Sequence, residues 1–491
     1  MGKLRLGSTI IPQAILPGSG TPTYTNLTVI PSTSQQLITV PSGYNGYNQI
    51  TVNAVNSSID ANITAGNIKS GITILGVSGT YAPTSSGIGI ERILTPTNKL
   101  THAVNIINTQ QFYDVGTKAL QYAYYNDDNL QGEVKFGALT TVTGNAAMDS
   151  AFYRCNNITS VNFPQLSTIS GTNAMSNCFY NCNKITTANF PQLSIINGSS
   201  AMNYCFYNSG NLTTLKMTNL TEVSGYHAMY FSCINCRNLS TLHLNNLTTI
   251  GGSSLQRAFM FTNLSIANLS KVTTVGDEGL EYCFGECPNL TSINFSRLST
   301  IGNNAMTWTF RGCNNLSSIT FPNLTTLSTT NAMNGTFLDC IGLQTANMSA
   351  LTSISGDNSI KNTFAGCTSL TTVNFSHLSS ITRSYVFYWT FRNCASLASI
   401  TFPALTTLTG SGIFRFCFDN CTNLRSVSFP ALTTSSFGTG NTQFSYMLYN
   451  VSDCQVHFPS NLRATLSTWN DVTNGFKGTN CTAVFDLPAT S

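Results

Sequence analysis

FYRCNNITSVNFPQLSTI (residues 152–169) is the stretch that decides the fold, because the chain restates it about every 27 residues. FYNCNKITTANFPQLSII begins at Phe179, and related phrases begin at Phe206, Phe259, Phe284, Phe310, Phe337, Phe364, Phe391 and Phe418. One fixed period over most of a chain means that each unit is one coil of a solenoid. A single coil cannot bury its own apolar side, so neighbours share a continuous core and present long, repetitive surfaces. Such surfaces favour binding or display over catalysis.

Within one unit, Ala147 to Asn173, the residues Met148, Phe152 and Cys155 fall at i, i+4 and i+7, the spacing of a short helix or helical turn. Asn156 and Asn157 interrupt it. Ile158, Val161 and Phe163 then follow L-x-x-L-x-L, and the alternation around Ser160 and Asn162 marks a short strand. Pro164 stops that strand, since proline cannot donate to a sheet ladder. Leu166 and Ile169 point inward again, and Ser170-Gly171 turns toward the next unit. The expected fold is a β/α solenoid, an arc of about eleven coils with one short parallel strand per coil, preceded by a small β-rich module.

These residues resemble the leucine-rich repeat superfamily, L-x-x-L-x-L-x-x-N/C-x-L. The closer likeness is to its BspA-like branch, whose units read approximately A-F-x-G-C-x-x-L-x-x-I-x-[IF]-P. FRGCNNLSSITFP (310–322) and FAGCTSLTTVNF (364–375) carry that likeness, which runs over about 147 to 450. The period is a few residues longer than is usual in the branch, implying wider loops. The resemblance implies a horseshoe or arc used in adhesion and recognition, with no catalytic residues to carry over.

Composition narrows the partners. Charged residues make up 8% of the chain, against roughly 25% in typical soluble domains. The formal net charge is +4 over 491 residues, with no Lys/Arg-rich run. Nucleic-acid binding needs clustered positive charge and is not expected. No apolar run approaches the roughly 20 residues that cross a bilayer, so membrane insertion is not expected either. MGKLRLGSTIIPQAILPGSG (1–20) holds an apolar stretch broken by Pro12 and lacks an A-x-A site, so it does not read as a signal peptide.

Most of the sixteen cysteines belong to the repeat. One column runs Cys155, Cys182, Cys236, Cys287, Cys313, Cys340, Cys367, Cys394 and Cys421, with Ser209 and Thr262 where it lapses. A second, just before the repeat Phe, holds Cys178, Cys205, Cys283 and Cys417, with Ala or Thr in other coils. Positions that accept Cys, Thr, Ala or Ser want a small buried side chain. Coils stacked at roughly 4.8 Å could bridge, although a chain folded in the cytosol keeps its thiols. Cys233-x-x-Cys236 is absorbed by the repeat columns, and none of the five histidines has metal-ligand company. No metal or cofactor is expected. No P-loop, H-E-x-x-H or G-x-S-x-G occurs and carboxylates are sparse, so the chain does not read as an enzyme.

Two groups of residues are candidates for ligand binding. The first lies on the strand face, where one outward column begins Asn162, Asn189, Lys216, His243, Asn268 and Asn294 and the flanking one is almost all Ser and Thr. Lys216 and His243 break the column's regularity. Two readings stand: Thr suits strands and Asn forms stacked amide ladders, or Asn189, Asn268, Asn294, Lys216 and His243 offer donors and acceptors to sugar hydroxyls. The second group is aromatic. RSYVFYWTFRNC (383–394) replaces the usual N-A-M segment with Tyr385, Phe387, Tyr388 and Trp389, with Arg383 and Arg392 nearby. SGIFRFCF (411–418) repeats the excess with Phe414 and Phe416, and Tyr226 precedes His227 at an earlier turn. Tyr and Trp are common binding anchors; the alternative is that they pack between wider coils.

Outside the repeats, 1–20 reads as an extended attachment peptide, 21–81 as a small β-rich virion-attachment module and 82–98 as a linker. Residues 99–146 form an N-terminal cap, 147–450 the repeats, and 451–491 a C-terminal cap. GYNGYNQITVNAV (43–55) and NIKSGITILGVSGTY (67–81) resemble a module of tail-associated and fibre proteins of bacteriophages and prophages. That resemblance implies docking to phage structural proteins through residues 1–81. The expectation is a non-enzymatic virion protein, folded in the host cytoplasm, that faces a bacterial surface receptor, glycan or protein. A homo-oligomer such as a trimer stays open. The alternatives are a bacterial cell-surface BspA-like adhesin and an inert capsid or tail decoration fibre.

Overall fold

The computed structural model describes residues 114–438 and 441–489, together with six short strands in the first 78 residues. The chain divides into two units, Met1–Gly89 and Ile90–Ser491. In the first, Lys3–Leu6 pairs antiparallel with Thr9–Pro12, Tyr24–Val29 pairs parallel with Gly46–Val52, and Thr73–Ile74 pairs antiparallel with Val77–Ser78. Most of the attachment module and all of the 82–98 linker lie outside the described residues.

The second unit is a parallel β-solenoid of about thirteen turns. That is more than the eleven repeats counted from the motif, because the phrase fades at both ends while the coils continue. Each coil has three sides. A long row of strands runs from Gln131–Lys135 through Asn157–Asn162 and Thr187–Asn189 onward, always parallel and one repeat apart. A short row of two-residue strands follows, as at Thr141–Val142, Thr168–Ile169 and Ile195–Ile196. The third side, where a short helix was expected, is a string of tight turns.

This third side follows one rule. In the coil at 144–155, the N–H groups of Ala147, Asp149, Ala151, Tyr153 and Cys155 bond three residues back within the coil. Those of Ala146, Met148, Ser150, Phe152 and Arg154 bond across to carbonyls of the next coil, from Thr172 to Tyr180. An α-helix would consume every N–H internally and leave none for the neighbour. The alternating scheme needs a left-handed residue at every fourth position, here Ala146 (φ 52°), Ser150 (φ 54°) and Arg154 (φ 57°). Side chains four apart therefore share a face, and the spacing of Met148, Phe152 and Cys155 imitates a helix. Asn and Gly tolerate the left-handed region best, and Asn173, Asn177, Asn181, Gly335 and Gly366 take it in other coils.

The core lies between the three sides. The repeat Phe rings stack from coil to coil with centroids 5.1–5.7 Å apart, in one run from Phe152 to Phe206 and another from Phe259 to Phe418. Between the runs, Cys233 fills the Phe register, so the C-x-x-C is a repeat Phe position and a repeat Cys position side by side. A second ladder beside it, Phe136–Phe163–Phe190, meets the first edge-on, as at Phe163 and Phe179. Such pairs add about 0.5–1.5 kcal/mol beyond their burial.

The cysteine column has a more specific task than filling space. Cys182, Cys236, Cys313, Cys340, Cys367, Cys394 and Cys421 each donate a thiol hydrogen bond of 2.9–3.1 Å to the carbonyl of the repeat Phe one coil earlier. Ser209 does the same to Phe179 at 3.1 Å. In the second column Thr309, Thr336, Thr363 and Thr390 donate to carbonyls of the preceding coil. These columns therefore accept small donors. All sixteen cysteines are free thiols and buried.

Where the chain enters the turn side, glycine recurs because coils approach most closely there. A Cβ at Gly225 would overlap the Gly198 carbonyl, and one at Gly198 the Gly171 carbonyl. At the far end the long row keeps its period, with Gln455 opposite Thr482. The short helices Arg463–Leu466 and Asn470–Thr473 follow there, burying Leu466, Trp469 and Val472.

Three outcomes follow. Gly225→Ala should lower unfolding stability by about 1–3 kcal/mol through overpacking, whereas Gly210→Ala, whose Cβ meets nothing within 4 Å, should be near neutral in the same urea titration. Cys340→Ser, which keeps a second donor for the Phe310 carbonyl beside the Cys313 N–H, should unfold at higher urea than Cys340→Ala, which loses one of that acceptor's two hydrogen bonds at a cost of about 0.5–1.5 kcal/mol. Burial also pushes the thiols up, Cys287 from 9.0 to about 11. Above pH 9 the unfolded chain ionises these thiols while the folded one holds its protons. The stability present below that pH should therefore fall as pH rises toward 11, by up to about 1.4 kcal/mol per pH unit per thiol. Equal urea midpoints at pH 8 and about pH 10.5 would contradict this.

Candidate functional site

The turn side presents two outward columns. The residue two before the repeat Phe is always left-handed, and the residue one after it lies alongside. In the first column Asn177, Gly335 and Asn362 suit the backbone, but Tyr204, Phe231, Tyr282, Trp308, Trp389, Phe416 and Tyr446 occupy the same conformation with φ of 52–54°. A bulky residue there is an outlier that costs on the order of 1 kcal/mol or more.

These rings form two patches. In the first, Tyr204 stacks on Phe231 at 5.1 Å. Arg257 lies between Phe231 and Tyr282 at 5.4 and 5.0 Å. Tyr282 then reaches Trp308 at 4.8 Å. Arg257 approaches Glu281 at 4.0 Å and Arg311 approaches Glu286 at 3.7 Å. Burial lifts the Glu281 carboxyl above its ordinary 4.5, with Glu278 adding to the rise and Gln256 and Arg257 opposing it. Tyr226, 60% exposed, packs against His227 at 4.0 Å at the margin. Burial draws the His227 imidazole below its ordinary value, and Glu278 opposes this. The patch coincides with the shortest coils, where neighbours bond across 25 or 26 residues instead of 27.

In the second patch Tyr388 and Trp389 meet at 4.3 Å, Tyr385 stands edge-on to Tyr388 at 6.0 Å, and Arg392 covers Trp389 at 5.4 Å. Tyr385, Tyr388, Trp389 and Arg392 are thus brought together on the outer surface, whereas Phe387 and Phe414 of the same aromatic excess are packed inside. Phe416, Tyr446 and Tyr449 extend the patch, with Phe416 stacked on Tyr446 at 5.0 Å. Lys361 lies over Tyr388, and Arg415 over Phe416 and Tyr446. Toward the N-terminal end the second column is a tyrosine ladder, Tyr125–Tyr153–Tyr180–Tyr207, with centroids 4.6–4.7 Å apart.

The strand-face candidates are differently placed. Asn189, Lys216 and His243 stand in register on one sheet, and Asn268 and Asn294 on another. Asn189 donates to the Asn162 amide at 3.1 Å, and Asn162 donates to Glu133 at 3.1 Å. Asn268 and Asn294 accept the backbone N–H of Ser270 and Ser296, closing the turn after each strand. The Asn189 Nδ2 and the Asn268 and Asn294 Oδ1 atoms are engaged internally, while Asn189 Oδ1 is buried without a hydrogen-bond partner among the described residues. His243 Nδ1 is buried without a hydrogen-bond partner among the described residues. A shallow depression of about 210 Å³ beside Asn294, Ser296, Thr320 and Pro322 opens where the long row breaks.

Phe231, Arg257, Tyr282, Trp308, Arg415 and Tyr446 were not among the sequence candidates. The signal was present in the column two before the repeat Phe, which changes from Asn and Gly to rings. Among the described residues, no group of three His, Cys, Asp or Glu side chains could hold a metal ion, and no helix is long and apolar enough to cross a membrane.

A family model of the BspA type leucine rich repeat region matches residues 145–283, 280–417 and 346–463. Solved structures with some likeness include a leucine-rich repeat protein from Bacteroides ovatus, 19% identical over 76% of this chain and 86% of that one, with a TM-score of 0.44. The pneumococcal vaccine antigen PcpA is 14% identical over 76% and 84%, with a TM-score of 0.32. A leucine-rich repeat protein from Eubacterium ventriosum is 18% identical over 62% and 88%, with a TM-score of 0.27. No curated protein matches the sequence.

Arg257, held between two rings with Glu281 at its edge, should contribute more than Arg154, which covers Tyr153 alone at 5.5 Å. Arg257→Gln is expected to cost about 1 kcal/mol and Arg154→Gln about half of that or less, read from urea midpoints.

Proposed function

The chain belongs to the BspA-type leucine-rich repeat family, and on that premise we propose that it is a non-enzymatic recognition protein whose ligand surface is the aromatic turn side. One observation carries this reading. Rings occupy left-handed positions that Asn and Gly fill in other coils, and backbone strain of this kind persists where it serves function. Rings presented on a rigid repeat make a platform for sugar faces or apolar protein side chains, with cations at the edges for orientation. A receptor glycan on a cell surface fits this chemistry best. The strand-face amides serve the ladder and its turns, so Asn189, Asn268 and Asn294 are assigned to structure, with Lys216 and His243 outside the ligand surface.

The substitutions that test this are Trp308→Asn and Trp389→Asn. Asn suits the left-handed backbone, so both variants should keep their melting temperature within a few degrees. Binding to immobilised bacterial surface polysaccharides should weaken at least about tenfold, or about 1.4 kcal/mol. Lys216→Ala and His243→Ala should bind as the parent does. Loss of binding in these two, with the Trp variants unaffected, would move the ligand surface to the strand side.

For location we infer a virion, with residues 1–81 docking to phage structural proteins. The support is the likeness of 43–55 and 67–81 to tail and fibre modules. The family favours the alternative, a bacterial cell-surface adhesin. Mass spectrometry of purified phage particles and of washed cell envelopes separates the two, and absence from particles with presence on envelopes would overturn the virion reading.

A further inference from the structure

We propose that the second aromatic patch is a binding site for a polyanionic polysaccharide, one carrying carboxylate or phosphate groups along its length. The inference rests on the turn side being the ligand surface and adds the ligand's charge. Lys361, Arg392 and Arg415 come from three successive coils, and each lies over a ring of the patch. Only Asp419 answers them, 3.4 Å from Arg392; Lys361 and Arg415 have no carboxylate within ion-pair distance among the described residues. Within ion-pair distance the three cations meet one acid, with Asp471 on Ser445 at 2.7 Å and Asp357 on Ser384 at 3.0 Å bordering the patch.

The first patch shows the contrast. There Arg257 and Arg311 face Glu281 and Glu286, and Glu278 accepts a hydrogen bond from Ser253 at 3.0 Å. Its rings are equally available, but its charge is already compensated and tends to the acidic side. Discrimination between the two patches therefore lies in charge.

The geometry suits a chain ligand. A guanidinium lying on a ring uses its π face there and keeps in-plane N–H donors for a bidentate carboxylate or phosphate. Successive coils are about 4.8 Å apart; Lys361 and Arg415 stand three residues before the repeat Phe of their coils and Arg392 one residue after it, so the cations line both sides of a row of rings. Trp389, Phe416 and Tyr446 form that row and offer stacking to the sugar rings between the anionic groups. An extended polymer could satisfy both sets together, whereas a compact anion would reach only one cation.

The test uses the full chain in isothermal titration with three probes: polygalacturonate, poly(glycerol phosphate) and neutral dextran. Binding to at least one anionic probe is expected, weakening at least tenfold in Lys361→Gln/Arg415→Gln and falling as salt rises. The charge-matched control Lys271→Gln/Arg297→Gln, on exposed residues away from the turn side, should bind as the parent does. Preference for polygalacturonate or for poly(glycerol phosphate) names carboxylate or phosphate as the recognised group. Equal weakening in the control would overturn the site, since general charge would then explain binding. Dextran binding as tightly as the anionic probes, unchanged in Lys361→Gln/Arg415→Gln but lost in Trp389→Asn, would overturn the charge inference alone. Binding unchanged in Trp389→Asn as well would overturn the turn-side reading with it. Failure of both anionic probes to bind overturns the inference.

Discussion

Everything in the repeat unit depends on how the turn side divides its backbone hydrogen bonds. Alternate N–H groups stay within the coil and the others cross to the next one. Buried backbone donors must be paired, and this division pairs them along the coil and between coils at once. It imposes a left-handed residue at every fourth position. The same geometry turns Met148, Ala151, Phe152 and Cys155 inward and Asp149, Tyr153 and Arg154 outward. Stacked Phe rings, small donors answering the preceding coil's carbonyls and glycine at the closest approach are consequences of that one constraint.

The constraint also explains where chemistry can vary. Inward positions are locked by packing, because a changed volume disturbs two neighbouring coils as well as its own. Outward positions on the strand rows are engaged in amide ladders and turn closure, as Asn162, Asn189 and Asn294 illustrate. The outward positions of the turn side are held in a fixed conformation without a fixed side chain. A ring there is displayed rigidly. The cost is backbone strain, and the coils that accept it cluster around Phe231–Trp308 and Tyr385–Tyr446 rather than spreading evenly.

The fold class was legible in the residues, and the exceptions show the limits of reading them. The strand and its register could be placed from Ile158, Val161 and Phe163 and from the halt at Pro164. The helix assigned to Met148–Cys155 was wrong because a string of alternating turns returns side chains to one face at the same spacing. The coil count fell short because strands such as Thr482–Leu487 keep the register after the motif has faded. Tyr385, Tyr388, Trp389 and Arg392 stood out by composition and do meet in space. Phe231, Arg257, Tyr282 and Trp308 are about 25 residues apart in the chain and become neighbours only when the coils stack.

The sequence by itself determined the period, the parallel strand, the inward columns and the near absence of charge, because each is a pattern within or between repeats that any stacked coil must respect. Only the tertiary structure decided that the third side is left-handed turns, that the repeat thiols answer carbonyls one coil back, and which outward residues touch. Those depend on hydrogen bonds and ring contacts between coils, and periodicity counts residues along a chain without stating the φ angles or the distances across it.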